Sequence, residues 1–203
     1  MKNSKIKLII ADFNGVLAYG NYHTLAGWLA KKFHRKEKEI YKILYHKWFN
    51  LAAEGKITEK VFFEKALAEL GFPLNWKDVR KKYLSAVIPN KPLINYLFML
   101  QKQGFKVLIL SKNIPSQFNE GIERCGIKKY FKDRINTYNL NLPKASKKTM
   151  LYVLKKYGIS PGEAVFIDDQ DFNLVEAKKL GINTYVYKNL PQLKNSFQRL
   201  FVK

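Results

Sequence analysis

The part of the chain after Asn90 alternates between short apolar runs and helical segments, and this alternation limits the possible folds more than any other feature. Apolar runs bounded by turn signals predict strands at 106–110, near Ile135, at 164–167 and at 184–187. Helical periodicity predicts helices at 92–103, 116–125, 146–157 and 172–180, and a last helix from about Pro191. Strands that alternate with helices of this length require right-handed crossovers, so we expect one parallel sheet.

A further strand is predicted near the start, where the apolar run 6–11 stops at Asp12. Between this run and the alternating region, residues 24–85 show only helical periodicity. We therefore predict an α/β fold, with a Rossmann-like doubly wound parallel sheet as the core and an inserted helical cap. The predicted core comprises residues 1–17 and 91–203, and the predicted cap comprises residues 18–90, of which about 24–85 are expected to be wholly helical.

Composition and cysteine content narrow the class of protein. The chain has 203 residues and is 47% hydrophobic, which is enough to bury a sizeable core. Its single cysteine, Cys125, and its three histidines provide no spacing for an internal disulfide or a structural zinc site. The apolar run 8–11 is too short for a signal-peptide core or a membrane span. We therefore expect a cytoplasmic protein without a membrane partner, present as a monomer or a weak dimer.

The formal net charge of +21 raises the question of a nucleic-acid partner, because lysine and arginine drive binding to phosphate backbones. The excess is spread evenly, since residues 18–90 carry 14 basic and 7 acidic side chains and the remainder carries 23 and 9. Only 5 of the 37 basic residues are arginine, which is the residue that bidentate recognition of phosphate favours. The distribution favours a lysine-rich solvated surface that attracts small anions over a dedicated nucleic-acid face.

Polar side chains stand where the predicted strands end. They are Asp12 and Asn14 after the first strand, Ser111 and Asn113 after the second, Asp168 and Asp169 after the fourth, and Lys144 near the helix that precedes the fourth. In an open parallel sheet the reactive groups gather beyond the carboxyl ends of the strands, so we expect these side chains to converge. Converging carboxylates need a cation, and a site built from oxygen ligands favours Mg²⁺.

The order of these residues resembles the haloacid dehalogenase superfamily, and the resemblance runs through nearly the whole chain. Its four signatures correspond to residues 9–17 (IIADFNGVL), residues 108–113 (LILSKN), Lys144, and residues 165–169 (VFIDD) with Asn173 and Ala177. The first is similar to an apolar strand followed by Asp-x-Asp-Gly-Thr/Val. The helical segment between the first two signatures lies where that family places a cap.

The resemblance implies a magnesium-dependent phosphohydrolase in which Asp12 attacks phosphorus to form an aspartyl-phosphate. The implied catalytic residues are Asp12, Asn14, Ser111 and Lys144. The implied metal ligands are Asp12, the backbone carbonyl of Asn14, Asp168 through water, and Asp169 directly. The implied substrate-binding residues are Ser111, Lys112, Asn113 and Lys144. The substrate implied is a small phosphorylated metabolite, for which a sugar phosphate is our first choice.

Asn14 departs from the family pattern, which has a second acid two residues after the nucleophile. That acid protonates the leaving oxygen and later activates water, and its loss typically costs ~10² to 10⁴ in rate. We consider three interpretations: a capped phosphatase subgroup without the acid, a protein that binds phosphate or a partner without turnover, and other chemistry at Asp12 such as dehalogenation. The positive charge adds a fourth, less favoured hypothesis, a phosphatase of nucleic-acid ends.

Aromatic residues recur at helical spacing in the predicted cap, and this spacing indicates the core of the cap before it indicates a substrate pocket. They are Trp28, Tyr41, Tyr45, Trp48, Phe49, Phe62 and Phe63. We expect at most one or two of these rings to face the site.

Overall fold

The structure is a computed structural model that describes residues 5–201. Its strands, in chain order, are β1 (Leu8–Ala11), β2 (Ala18–Tyr19), β3 (Ile88–Pro89), β4 (Lys106–Ser111), β5 (Arg134–Asn136), β6 (Ala164–Asp168) and β7 (Asn183–Val186). Five of them form one sheet in the order β5-β4-β1-β6-β7, and every neighbouring pair in it is parallel. The chain therefore extends from β1 in one direction and then in the other, which confirms the predicted doubly wound sheet.

The helices lie where helical periodicity predicted them, with small shifts at their ends. In chain order they are α1 (Tyr22–Phe33), α2 (Glu37–Tyr41), α3 (Asn50–Ala53), α4 (Glu59–Leu70), α5 (Trp76–Ala86), α6 (Lys91–Lys102), α7 (Pro115–Arg124), α8 (Lys147–Tyr157), α9 (Val175–Lys179) and α10 (Leu190–Phe201). The helix predicted at 172–180 is shorter, because Asp171–Asn173 forms a separate 3₁₀ turn before α9.

Alternate residues of β1 face opposite sides of the sheet. Ile9 and Ala11 belong to a cluster with residues of α6, α7 and α10, whereas Leu8 and Ile10 belong to a cluster with residues of α8 and α9. Both faces of the sheet are thus covered by helices, which explains why its strands are nearly continuous apolar runs. This arrangement fixes the carboxyl ends of β1, β4 and β6 at one edge.

Residues 24–85 contain helices and connecting turns but no strand, which agrees with the predicted helical insertion. The two ends of the predicted cap form a two-residue antiparallel pair that was not predicted, in which Ala18 lies opposite Pro89 and Tyr19 opposite Ile88. A pairing this short leaves no alternation to detect in the sequence, because each strand contributes only two residues. This two-stranded ribbon closes the insertion at its base. It holds side by side the two chain segments that connect the insertion to the sheet.

The centre of the insertion is a long helical stretch with an unusual middle. Residues Lys42–Phe49 form a π-helix between α2 and α3, a geometry that is rare and often found at functional sites. Helix α4 is capped at its start by Thr58, whose side chain accepts from the Val61 N–H, and at its end by Gly71 in the left-handed conformation.

The predicted domain division remains a prediction, and residues 1–4 and 202–203 of the predicted core lie outside the described residues. Within residues 5–201, no helix combines the length and the apolar character needed to cross a membrane.

Candidate active site

The structure brings the predicted carboxylates together at the crevice where the strand order reverses. Asp12 follows β1. Asp168 is the last residue of β6, which pairs directly with β1, and Asp169 comes immediately after it. One carboxylate oxygen from each of the three residues lies within 4.8 Å of the others. Open α/β sheets bind their ligands at this switch point, so position and chemistry agree.

Lys144 connects two of these acids. Its Nζ lies 2.7 Å from Asp12 Oδ1 and 2.6 Å from Asp168 Oδ2, and all three side chains are almost fully buried. Burial acts to lower the pKa of Lys144, but Asp12 and Asp168 outweigh it and raise that pKa above its ordinary value. The ammonium therefore stays charged and offsets part of the negative charge of the site.

Asp12 is oriented by two hydrogen bonds to one oxygen. Asp12 Oδ1 accepts from the backbone N–H of Phe13 at 2.6 Å as well as from Lys144. Burial raises the pKa of Asp12 to about 7, with Lys144 opposing the shift and Asp168 adding to it. An ionised Asp12 is thus a desolvated carboxylate, which is the form in which it can act as a nucleophile.

Asp168 and Asp169 differ in how they are held. Asp168 Oδ1 accepts from the Gln170 backbone N–H and from Asn173 Nδ2, each at 2.9 Å. Asp169 Oδ1 is buried and has no hydrogen-bond partner among residues 5–201. Burial, followed by the charge of Asp168, raises the pKa of Asp169 to about 6. Asp168 is therefore fixed by protein groups, while Asp169 retains an unused oxygen.

The residues fit a hard divalent cation. Three carboxylates whose oxygens lie within 4.8 Å of one another, with one lysine among them, leave a net negative charge in a buried place. An unused buried oxygen on Asp169 is costly unless something binds it. Carboxylate oxygens without nearby sulfur or imidazole ligands are the donors that Mg²⁺ prefers.

The predicted substrate-binding residues take different positions. Ser111, at the end of β4, is 2% exposed and lines the same cavity as Asp12 and Lys144. Lys112 also lines the cavity, and its Nζ donates to Asn50 Oδ1 at 2.7 Å. Asn113 is buried and is not among the residues that line the cavity, and its Oδ1 accepts from the Ile114 N–H at 2.9 Å. Its predicted role in substrate binding remains a prediction.

A cavity of about 60 Å³ opens in front of Asp12. It is lined by Asp12, Asn14, Asn21, Tyr22, Tyr41, Tyr45, Phe49, Ser111, Lys112, Lys144, Gln170 and Asn173. Three of the aromatic residues named above, Tyr41, Tyr45 and Phe49, reach it, so the expectation of at most one or two rings was wrong. The reason is that Tyr45 stacks between Tyr41 and Phe49, with ring centroids 5.1 Å apart on both sides.

Asn14 contacts the insertion. Its Nδ2 donates to the hydroxyl of Tyr83 at 3.3 Å, and its Oδ1 is buried without a partner among the described residues. Tyr83 in turn stacks on Tyr22 with centroids 4.5 Å apart. Sequence reasoning missed Tyr22, Tyr83 and Asn50, because these residues come from helical positions that give no linear signal.

Comparison with known proteins places this geometry in a family. The model of the haloacid dehalogenase-like hydrolases matches residues 6–181 of the chain. A curated relative, Pyrophosphatase PpaX of Bacillus velezensis, is 22% identical over 193 residues, which cover 91% of this chain and 84% of the relative.

Solved structures agree on the fold. A haloacid dehalogenase family enzyme of Bacteroides thetaiotaomicron, solved as a magnesium complex, has a TM-score of 0.77 and 22% identity, covering 96% of this chain and 99% of that one. The same enzyme in complex with magnesium and inorganic phosphate has a TM-score of 0.73 and 20% identity, covering 93% and 98%. At these identities the likeness shows the fold, whereas the family model spans most of the sequence. The chain belongs to the haloacid dehalogenase-like hydrolase family.

Proposed function

We propose that this protein is a magnesium-dependent phosphohydrolase that acts on a small phosphorylated metabolite, with Asp12 as the nucleophile. The observation that carries the proposal is the position of Asp12, which faces a cavity while Lys144 and two further carboxylates surround it. The relative named as a pyrophosphatase and the solved neighbour that binds magnesium and inorganic phosphate support it.

Asp12, Asp169 and the backbone carbonyl of Asn14 would hold Mg²⁺ directly, with Asp168 acting through water. Asp169 suits direct binding because its Oδ1 is unused, whereas Asp168 is already held by Lys144, Gln170 and Asn173. When bound, the ion neutralises the carboxylates and charge on phosphate oxygens. The remaining work falls to the side chains of the protein.

Asp12 would attack phosphorus with one carboxylate oxygen, and the bond from phosphorus to the leaving oxygen would break. Lys144 lies within 2.7 Å of Asp12 and would offset charge on both the nucleophile and the phosphoryl group. Ser111 would donate its hydroxyl hydrogen to a phosphoryl oxygen. Positioning and electrostatic stabilisation of this kind supply most of the catalysis of phosphoryl transfer.

We further propose that residues 18–90 act as a cap that selects the substrate. Tyr22, Tyr41, Tyr45 and Phe49 come from this segment and supply the aromatic wall of the cavity. Closing such a segment over the site would exclude water during the reaction. A sugar phosphate remains the sequence-based prediction for the substrate.

A second candidate function is a phosphate-binding protein without turnover, and Asn14 is the observation that favours it. An amide cannot shuttle a proton, and here its Nδ2 is engaged by Tyr83. A protein with this second function would bind phosphate in the presence of Mg²⁺ but would release no phosphate from any ester.

Hydrolysis of p-nitrophenyl phosphate with Mg²⁺ separates the two candidates, because an aryl leaving group needs little protonation. We expect phosphate release that Asp12→Ala lowers by at least ~10³. Asp78→Asn is the matched control, since it removes an exposed carboxylate on α5 and should leave the rate unchanged. Absence of Asp12-dependent phosphate release would eliminate the proposed function and leave the binding protein.

A further inference from the structure

Lys112 carries a positive charge that the protein does not pair. Its Nζ lines the active-site cavity, and the partner that holds it is the neutral amide oxygen of Asn50, at 2.7 Å. Lys112 makes no ion pair within residues 5–201. The carboxylate of Glu54 acts on it from farther away, and that carboxylate is ion-paired with Lys56 at 2.8 Å.

Lys112 differs in its ion pairing from Lys144, the other lysine that lines the cavity. Lys144 is matched by two carboxylates at 2.7 and 2.6 Å, so its charge belongs to the site itself. Burial lowers the pKa of Lys112, against the opposing effect of Glu54, and Lys144 lowers it further. An ammonium kept in such a place is stabilised when an anion enters beside it.

Hydrogen bonds of Asn50 fix the position of the Lys112 ammonium group. Asn50 Nδ2 donates to the His46 carbonyl oxygen at 3.0 Å, which turns Oδ1 towards Lys112. Asn50, the first residue of α3, is thus held by a carbonyl of the π-helix and in turn holds a lysine of the core. Lys112 therefore has a defined location when the insertion lies over the site.

The position of Asn14 restricts the leaving group in a second, independent way. By the resemblance to the haloacid dehalogenase superfamily, Asn14 occupies the position of the acid that protonates the leaving oxygen, and its amide has no acidic proton to give. Alkoxides are strong bases and need that proton, whereas a phosphate or carboxylate leaves without one near neutral pH. The site therefore favours a weakly basic leaving oxygen.

We infer that the preferred substrates are small phosphoanhydrides, and that Lys112, positioned by Asn50, neutralises the leaving phosphate. This inference rests on the proposed function and names its substrate class in place of the sugar phosphate. Asp12 forms a bond to the terminal phosphorus, and the bridging oxygen departs with its electron pair as phosphate, which needs no proton. Water then attacks the same phosphorus, the bond to Asp12 breaks, the second phosphate leaves, and the excess proton passes to solvent.

The test compares inorganic pyrophosphate, acetyl phosphate and glucose 6-phosphate in the full chain with Mg²⁺. We expect kcat/KM for pyrophosphate to exceed that for glucose 6-phosphate by at least ~10², because the alkoxide lacks a proton donor. Lys112→Gln should lower kcat/KM for pyrophosphate ~10- to 100-fold, and at least threefold more than for acetyl phosphate, whose leaving group carries less charge. Lys148→Gln, an exposed lysine on α8, is the matched control and should change neither value.

Binding gives a readout that does not depend on turnover. In the Asp12→Ala background, calorimetry with Mg²⁺ should show that Lys112→Gln weakens binding of pyrophosphate at least tenfold more than binding of inorganic phosphate. Asn50→Ala should produce a smaller shift in the same direction. Equal weakening of both ligands would overturn the role of Lys112.

The outcomes also separate this inference from the proposed function. Asp12-dependent hydrolysis with a preference for glucose 6-phosphate would refute the anhydride class and leave the phosphohydrolase intact. Absence of Asp12-dependent turnover on all three substrates would refute the phosphohydrolase, and the calorimetric comparison would still decide whether Lys112 recognises a second phosphate.

Discussion

Lys144 is the residue on which the charge balance of the site depends, because it lies between Asp12 and Asp168 and all three side chains are almost fully buried. Removing one partner of a buried ion pair leaves the other charge uncompensated, which typically costs about 3–5 kcal/mol. The two acids would then exist side by side with no cation from the protein. Loss of Lys144 therefore affects stability as well as the reaction.

We expect Lys144→Met to lower the free energy of unfolding by about 3–5 kcal/mol at pH 8, measured by urea denaturation without metal. The deficit should shrink as the pH falls, because protonation removes the charge from the carboxylates. Lys147→Met, at an exposed position three residues later at the start of α8, is the control and should stay within about 0.5 kcal/mol. A deficit independent of pH would indicate a packing effect instead.

The carboxylates also determine how Mg²⁺ binding depends on pH. The folded pKa values of Asp12 and Asp169, about 7 and about 6, lie above the ordinary value of 3.8. The metal-free protein therefore binds more protons folded than unfolded, and these two groups make it less stable as the pH rises from about 4 to about 7. Mg²⁺ competes with those protons, since it binds the ionised form.

We accordingly expect 5 mM Mg²⁺ to raise Tm by several degrees at pH 8 and by much less at pH 5.5, as ~1–3 kcal/mol of binding free energy would do. Differential scanning fluorimetry at both pH values, with K⁺ at equal ionic strength as the control, measures the difference. An equal rise at the two pH values would mean that these carboxylates are not the binding groups.

At the scale of elements, the turn after β1 depends on Gly15. Its φ of +85° is strained for any other residue, and a Cβ there would lie 2.2 Å from Asp169 Oδ2. The glycine thus lets the turn approach the carboxylate that we propose as a direct metal ligand. The turn is held on its other side by the Gly15 N–H, which donates to the Ala18 carbonyl at 2.8 Å.

We expect Gly15→Ala to displace Asp169 or the turn, to weaken Mg²⁺ binding at least tenfold, and to destabilise the fold by about 1–2 kcal/mol. Gly162→Ala is the matched control, because a Cβ there meets nothing within 4 Å. Calorimetric titration with Mg²⁺ provides the measurement. A Gly15→Ala protein with unchanged Mg²⁺ affinity would contradict the proposed position of the metal.

At the scale of the whole molecule, Glu59 joins the insertion to the core. Its Oε1 accepts from Arg80 Nε at 2.8 Å and from Gln117 Nε2 at 2.9 Å, and its Oε2 accepts from Ser116 Oγ at 2.7 Å. Gln117 also accepts from the hydroxyl of Tyr22, whose ring lines the cavity. One carboxylate therefore connects α4 and α5 of the insertion to α7 of the core.

Glu59→Ala should loosen this connection, lower the free energy of unfolding by about 1–3 kcal/mol, and increase hydrogen exchange in α4 and α5. Because the cavity wall would be held less firmly, KM should rise more than kcat falls. Glu64→Ala removes an exposed carboxylate from the same helix and serves as the control. Faster hydrogen exchange confined to the core helices would contradict the proposal that Glu59 connects the insertion to the core.

The sequence determined the doubly wound sheet by itself, because apolar runs of strand length alternate with amphipathic helices, and such a chain can bury its strands only in a parallel sheet covered on both faces. It also located Asp12, Ser111, Asp168 and Asp169, since residues at the ends of neighbouring parallel strands meet at one edge. Lys144, which precedes a helix, was predicted from the family resemblance. These inferences depend on local order along the chain, which the sequence displays directly.

Only the tertiary structure decided which side chains the insertion brings to the site. The contacts of Asn14 with Tyr83 and of Lys112 with Asn50 join positions 69 and 62 residues apart. The rotation of a helix about its axis and its distance from the sheet depend on packing across the whole interface, so periodicity reveals its apolar face but not its partner. The aromatic wall and the hold on Lys112 therefore arise from how the helices pack, and no single segment encodes them.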